Sequence, residues 1–506
     1  MYSKPVLVAG ATGYVGGRLV SRLLSSGYHV RAVARSLAKL RCRPWAQHRN
    51  LELVECDVLD LASLKKAMSG CGASFHLIHP PEKNAAALAA HNFAVAAANS
   101  QIERIIHLAR VGDSDGPCCG KGPRSRREPG LILQSGTVPV TTLRAALILG
   151  SGSSAFEILR CLTDRQPIMF APRWFRSAVQ PIGIRNVLTY LEGCLHSQEV
   201  IGQTFDIGGP DLVNFRELIE IYAQEAGLPR RIILPIPFVG LNLSSYWIHL
   251  LTPVSGSIAK SLARGLKCDA ICRENRIVSI IPQHLMNCRE IIRLALERMS
   301  QQLVESCWSD AGALNAPEWT CRGDAEYAGG TIFQYGCRIH IEATPEEVWE
   351  PIARIGGNTG WYSGQLLWSL RGWMDRLIGG AGLARGRRHP SELHVGDALD
   401  FWRVLDCRPR QHLVLVAEMK TPGEAVLELR LKPLPDGRTE LRQLSRFLPK
   451  GLWGLVYWYS LYPFHVWIFQ GMLRNIARAI GKPVSLGPES LASKLQQQCP
   501  ISSKSD

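Results

Sequence analysis

Acidic residues are what the 506-residue chain has too few of: 43 aspartates and glutamates stand against 58 lysines and arginines, a formal net charge of +15. That deficit excludes an acidic, solvating protein and points to anionic partners, namely nucleic acid, a membrane surface or a phosphorylated cofactor. No dense Lys/Arg run joins a nucleic-acid motif, so no nucleic-acid partner is expected. The 15 cysteines include no C-x-x-C pair and no paired spacing with histidine, which excludes the common zinc and redox motifs. No metal is expected, and the thiols read as reduced, with the adjacent Cys118 and Cys119 an incidental pair. The chain reaches an apolar strand pattern at Pro5, which leaves no space for a cleavable leader, so a cytoplasmic location is expected. Disorder is excluded in turn by 46% hydrophobic and 20% charged residues.

The length exceeds one ordinary core, and the texture divides accordingly. Short apolar runs at 5–10, 29–35, 51–58, 74–79, 103–110 and 139–149 alternate with amphipathic stretches at 14–26, 61–69 and 85–99. That alternation predicts a doubly wound parallel α/β sheet. Residues 111–130 read as a long loop beyond a carboxyl strand end, and 151–305 as a smaller substrate-covering lobe. The first domain is therefore expected to span 1–305, with a linker at 306–330. A second, α+β domain is expected at 331–485, with strands at 333–341, 397–406, 411–420, 424–433 and 438–447, a helix capped by Thr344 and a closing helix at 462–480. Residues 486–506 read as a disordered tail.

Gly10-Ala11-Thr12-Gly13-Tyr14-Val15-Gly16-Gly17 follows the first strand and opens a helix. Gly10 permits the tight turn, Gly13 the approach of a pyrophosphate, and Gly16 close packing of helix on strand. The helix start supplies N–H donors and a positive dipole end to phosphates. After the second strand, residues 29–39 contain no Asp or Glu to receive a ribose 2′-hydroxyl. Arg35, Ser36 and Lys39 are instead the candidates for a 2′-phosphate, so NADPH (NADP) is the expected cofactor. Asp57 and Val58 after the third strand, and Ile78 after the fourth, complete the expected cofactor-binding set with Thr12, Tyr14 and Val15.

With Gly202-Gln203-Thr204-Phe205-Asp206-Ile207-Gly208-Gly209-Pro210 added to the glycine turn and Cys56-Asp57-Val58, the first half resembles the atypical short-chain dehydrogenase/reductases. The whole chain is similar to a bacterial-type group that fuses such a domain to a C-terminal domain of unknown function. The segments 371–380 and 395–404 carry that likeness. The C-terminal pattern resembles helix-grip domains (SRPBCC, START-like), which implies an α+β ligand-binding fold. Active members of the reductase superfamily carry Tyr-x-x-x-Lys as proton donor and its activator, yet residues 103–150 contain no tyrosine. Arg124-Ser125-Arg126-Arg127 stands in the corresponding place. Arginine orients anions or polarises carbonyls but gives up no proton, so Arg127 and His79 are the candidate catalytic groups, with His107 expected in the core.

The second domain is rich in aromatics, including Trp361, Trp373, Trp402, Trp453, Trp458 and Trp467, which suits an apolar cavity. The run 452–469 is long enough to raise a membrane span, but Gly454, Ser460, Pro463 and His465 interrupt it. Peripheral membrane contact through this aromatic, arginine-flanked region is the expected alternative. The combined expectation is an NADPH-dependent oxidoreductase acting on a small hydrophobic substrate: a carbonyl, quinone-like or conjugated compound. The alternative is a non-catalytic NADP(H)-binding sensor or accessory protein with a hydrophobic-ligand domain.

Overall fold

The computed structural model describes residues 4–78, 82–111, 128–236, 241–252, 254, 258–260, 262, 269–301, 306–311, 332–385 and 387–491. The chain forms two compact units, Met1–Ala311 and Gly312–Asp506.

In the first unit, strands β1 (Val6–Ala9), β2 (Val30–Ala34), β3 (Leu51–Glu55), β4 (Ala73–His76), β5 (Arg104–Arg110), β6 (Val140–Ala145) and β11 (Thr204–Ile207) form one parallel sheet. Its order is β11-β6-β5-β4-β1-β2-β3. β1 is buried at every position because helices cover both faces, which is why it reads as an unbroken apolar run. Around the sheet lie α1 (Tyr14–Ser25), α2 (Leu37–Arg41), α3 (Leu61–Met68), α4 (Lys83–Asn99), α5 (Glu128–Gln134) and α7 (Ile184–Gly193). The order reverses between β1 and β4, the point at which open α/β sheets take ligands.

The single strand expected at 139–149 is broken at Ala146. β6 stays in the main sheet, while β7 (Leu147–Leu149) leaves it to pair with β10 (Pro181–Gly183). Two more two-stranded pairs, β8 (Ile168–Ala171) with β13 (Ile232–Pro235) and β9 (Ala178–Val179) with β12 (Val213–Asn214), join α6 (Ser154–Arg165), α8 (Phe215–Glu225) and α9 (Leu241–Leu251). With α10 (Ile277–Ile280) and α11 (Cys288–Ser300) they make a lobe whose core includes Phe156, Phe215 and Tyr222.

Residues 306–311, expected in a linker, instead pack on the first unit. The Ser306 hydroxyl donates to the Tyr14 carbonyl at 2.8 Å, and the Trp308 amide donates to the Gly152 carbonyl at 2.9 Å. The boundary moves to Ala311 because these polar contacts fasten the segment to the start of α1.

In the second unit, β14 (Phe333–Ile341), β15 (Ala398–Leu399), β16 (Trp402–Arg408), β17 (His412–Ala417), β18 (Gly423–Pro433), β19 (Thr439–Pro449) and β20 (Val484–Ser490) form an antiparallel sheet. The order is β15-β16-β17-β18-β19-β14-β20. Residues 486–490, expected in a disordered tail, belong to β20, which pairs with β14 and gives that edge its hydrogen-bond partner. The inward residues Ile339, Leu413, Leu429 and Leu441 share a core with residues from α12 (Pro345–Ala353), α13 (Gln365–Leu377) and α14 (Gly451–Ile480). Thr344 caps α12 through a reciprocal box with Glu347, as its spacing predicts.

Two helical expectations change. α14 starts at Gly451 rather than 462, so the apolar run 452–469 is the first half of one 30-residue helix. α13 answers to no helix expected from the sequence. Among the described residues no helix is long and apolar enough to cross a membrane.

Candidate functional site

The carboxyl ends of β1, β2, β3 and β4 lie side by side and bring most of the expected cofactor residues to one edge. Gly10 has φ +94°, a left-handed conformation open to glycine, and an added Cβ would lie 2.9 Å from the Leu77 carbonyl oxygen. At Gly16 a Cβ would lie 2.1 Å from the Gly10 carbonyl oxygen, so only hydrogen lets α1 seat against the turn. Gly13 caps α1 and donates its amide to the Gly10 carbonyl at 2.9 Å. The first amides of α1, at Tyr14 and Val15, have no intrahelical acceptor and face the space that the missing side chains leave. That cradle fits a dinucleotide pyrophosphate.

The Tyr14 side chain turns away from this task. Its ring lies under the Arg18 guanidinium at 4.8 Å, and burial pushes its hydroxyl above the ordinary tyrosine range. Only the backbone of Tyr14 is available to a phosphate. Arg35 follows β2 directly and is exposed, and Ser36 caps α2 without using its hydroxyl as the cap. Asp57 is exposed after β3 and accepts the Leu59 amide at 3.0 Å; Val58 and Ile78 pack their apolar sides on the core beneath.

Lys39 departs from expectation. It is 5% exposed, and its ammonium donates to the Asp310 carbonyl at 3.1 Å rather than standing free for a 2′-phosphate. The cause is the returning segment 306–311. Arg43, which the sequence did not single out, pairs with the Asp310 carboxylate at 2.9 Å and donates to the Thr12 carbonyl at 2.9 Å. Its partner lies 267 residues away, so no local signal marks it. Arg43 and Asp310, 7% and 5% exposed, thus tie the glycine turn to the end of the unit.

At the end of β4, His76 stands beside His107 of β5, with Nδ1 atoms 3.1 Å apart and His107 Nδ1 also 3.1 Å from the His76 carbonyl oxygen. His107 is buried as expected. His76 was missed because it reads as one more strand residue. A row Ala9, His76, His107, Thr142 runs across the carboxyl edge in register. His79, Arg127 and the Cys118-Cys119 pair lie outside the described residues. A cavity of about 380 Å³ opens elsewhere along α1, lined by Arg18, Arg22, Ser151, Arg185 and Arg298 among others. None of residues 10–16 lines it; there Arg18 is engaged by Ser151 and Arg22 by Glu192.

Comparison with known proteins agrees with this geometry. Residues 10–125 match a family described as NAD(P)H-binding, and residues 327–472 match one described as a protein of unknown function (DUF2867). Cinnamoyl-CoA reductase 1 of Oryza sativa is 34% identical over 116 residues, 21% of this chain and 34% of that protein. Dihydroflavonol 4-reductase of Hordeum vulgare is 38% identical over 82 residues, 15% of this chain and 23% of that protein. The chain spans about a third or less of the length of the curated relatives it matches. Among solved structures, Citrobacter sp. triphenylmethane reductase complexed with NADP(H) has 16% identity and a TM-score of 0.47, covering 57% of this chain and 99% of that chain. The match over residues 10–125 to an NAD(P)H-binding family agrees with the parallel sheet and its glycine turn, and the expected nicotinamide dinucleotide is borne out.

Proposed function

We propose that the first unit is an NADPH-dependent reductase of hydrophobic carbonyl, quinone-like or conjugated compounds. The observation that carries the reading is the glycine turn at the switch point, with an exposed Arg35 one strand away and no acid between 29 and 39. The names of the relatives, reductases of cinnamoyl-CoA and of dihydroflavonols, fit apolar carbonyl substrates. The backbone of Thr12 to Gly16 holds the pyrophosphate, Arg35 with Ser36 holds the 2′-phosphate, and Asp57, Val58 and Ile78 flank the adenosine side. When bound, the reduced nicotinamide supplies the hydride. The substrate oxygen needs a proton that no Tyr-x-x-x-Lys pair delivers, since 103–150 lacks tyrosine. His79, three residues beyond the His76–His107 pair, is the donor we assign, and Arg127 polarises the carbonyl.

We further propose that the second unit is a helix-grip, SRPBCC-like domain holding an apolar molecule between sheet and helices. Support comes from polar groups inside an apolar interior. Gln443 is 1% exposed, flanked across the sheet by Cys337 and Leu429, and neither end of its amide has a hydrogen-bond partner among the described residues. Trp402 Nε1 and His465 Nδ1 share that condition. Each such group costs about 1–3 kcal/mol, a cost that a ligand carrying a polar group would offset.

The absent tyrosine also favours a second reading, a non-catalytic NADP(H)-binding sensor or accessory protein. Purified full-length chain loaded with NADPH and challenged with quinones, enones and aromatic carbonyl compounds separates the two. Decay of the reduced-nicotinamide absorbance with at least one compound supports the reductase. A constant signal across the panel, with the nucleotide still bound, establishes the sensor reading in its place.

A further inference from the structure

In the second unit α13 is apolar on two faces. Trp368, 8% exposed, packs into the core, yet Leu366, Leu370, Trp373 and Met374 are exposed, Leu366 at 80%. Their spacing of i, i+4, i+7 and i+8 is that of one helix face, which in a globular domain is ordinarily buried. α14 repeats the pattern. Phe469, Met472 and Leu473 face the core, whereas Trp453, Tyr459 and Trp467 are 77%, 65% and 61% exposed.

The two helices share one core and meet at the start of α13. A Cβ at Gly364, the cap of α13, would lie 2.9 Å from Ile468 and 3.6 Å from Trp467. At the other end, the Lys420 ammonium donates to the Ile378 carbonyl at 2.9 Å, and Pro422 accepts the Lys450 amide at 2.8 Å just before α14 begins. Both helices share a core with the same sheet, so each exposed stripe lies on the side of its helix away from that core.

The exposed charge carried by the two helices has one sign. α14 contains no aspartate or glutamate across its 30 residues. The single acid of α13, Asp375, is fully buried and spent on the amides of Gly382 and Lys420 at 2.9 and 2.7 Å. The cations Lys420, Lys450, Arg474 and Arg478 are exposed around the stripes; Lys450 shares its charge with Glu424 at 2.7 Å. Tryptophan and tyrosine bodies with a cationic rim match the boundary between acyl chains and anionic headgroups.

We propose that α13 and α14 form a platform that seats the second unit on an anionic membrane surface, lying in the interface without crossing it. The choice of a lipid surface over a protein rests on the lack of exposed acid on α13 and α14 and on the length of the two aromatic stripes. Sedimentation of the full chain with phosphatidylcholine vesicles, with and without phosphatidylglycerol, tests the proposal. Binding is expected to rise about tenfold with the anionic lipid and to fall on adding salt. A double variant, Trp373→Ser with Trp467→Ser, is expected to lower partition at least about tenfold while leaving NADPH affinity and the thermal transition unchanged, since both side chains are exposed. Three results overturn the idea: no vesicle binding, binding indifferent to the double variant, or a concentration-dependent dimer that the double variant dissolves, which would make a second copy the occupant.

Discussion

Among the described residues of the first unit, the exposed large apolar side chains fall into small groups, Ile168, Phe170, Ile232 and Leu234 on the β8–β13 pair and Leu243, Tyr246 and Trp247 on α9, with others such as Leu59, Leu131 and Leu212 standing singly. Among the described residues of the second, all but Val484 lie on α13, its C-terminal cap and α14. The site proposed in the first unit rests on backbone geometry at a sheet edge; the second displays side chains on a helical face. One consequence is that single substitutions act differently in the two. A misplaced atom at the glycine turn removes a function outright, whereas the aromatic face loses strength by increments.

The largest effect belongs to Gly16→Val. Its Cβ position is 2.1 Å from a carbonyl oxygen, so the turn must open, and NADPH affinity should fall more than about 100-fold by titration calorimetry while lipid binding through the second unit persists. Equal loss of both properties would break the distinction between the units. Next comes Asp310→Ala, which leaves the buried Arg43 without its carboxylate. The first unit should lose about 3–4 kcal/mol in urea unfolding, with the second unaffected. A change under about 0.5 kcal/mol would mean that the 306–311 segment does not fasten the unit.

The second unit carries its own pH signature. Burial among Trp458 and Phe469 lowers the His465 pKa from 6.5 to about 4. As pH falls through 6.5 the unfolded chain takes up a proton that the folded imidazole refuses, so stability declines from there to about pH 4 and levels below it. The loss is on the order of 2–3 kcal/mol, and most carboxylates titrate only toward the lower end of that window. His465→Phe should flatten the pH dependence between 6.5 and 5, read by tryptophan fluorescence of unfolding; an unchanged slope would place the proton elsewhere. The smallest effect is Arg35→Ala, expected to weaken NADPH about tenfold and NADH hardly at all. An equal loss for both cofactors would return Arg35 to the solvated surface.

What was legible in the sequence follows the range over which each contact is made. The order of strands β1 to β5, the glycine turn and the Thr344 cap rest on residues a few positions apart, and periodicity or spacing exposes them. The fate of Lys39 was not legible, because its partner Asp310 arrives from the far end of the unit. The missing half of α14 was obscured by Gly454, Ser460 and Pro463, which look like breakers but are tolerated where the sheet packs on one side of the helix. β20 escaped notice because Val484–Ser490 alternates weakly and is held mostly by the edge of β14. α13 was hidden by its double apolar face, which shows no single polar side. The edge histidine His76 sits inside an ordinary strand run.

The proposed function stands on the turn at residues 10–16 holding a nicotinamide dinucleotide and on Arg35 selecting its phosphorylated form. Calorimetric titration of the full chain with NADPH and NADH at one salt concentration measures both directly. One binding site is expected, with NADPH at least about tenfold tighter than NADH. Absence of binding by either nucleotide, or tighter binding of NADH, would contradict it.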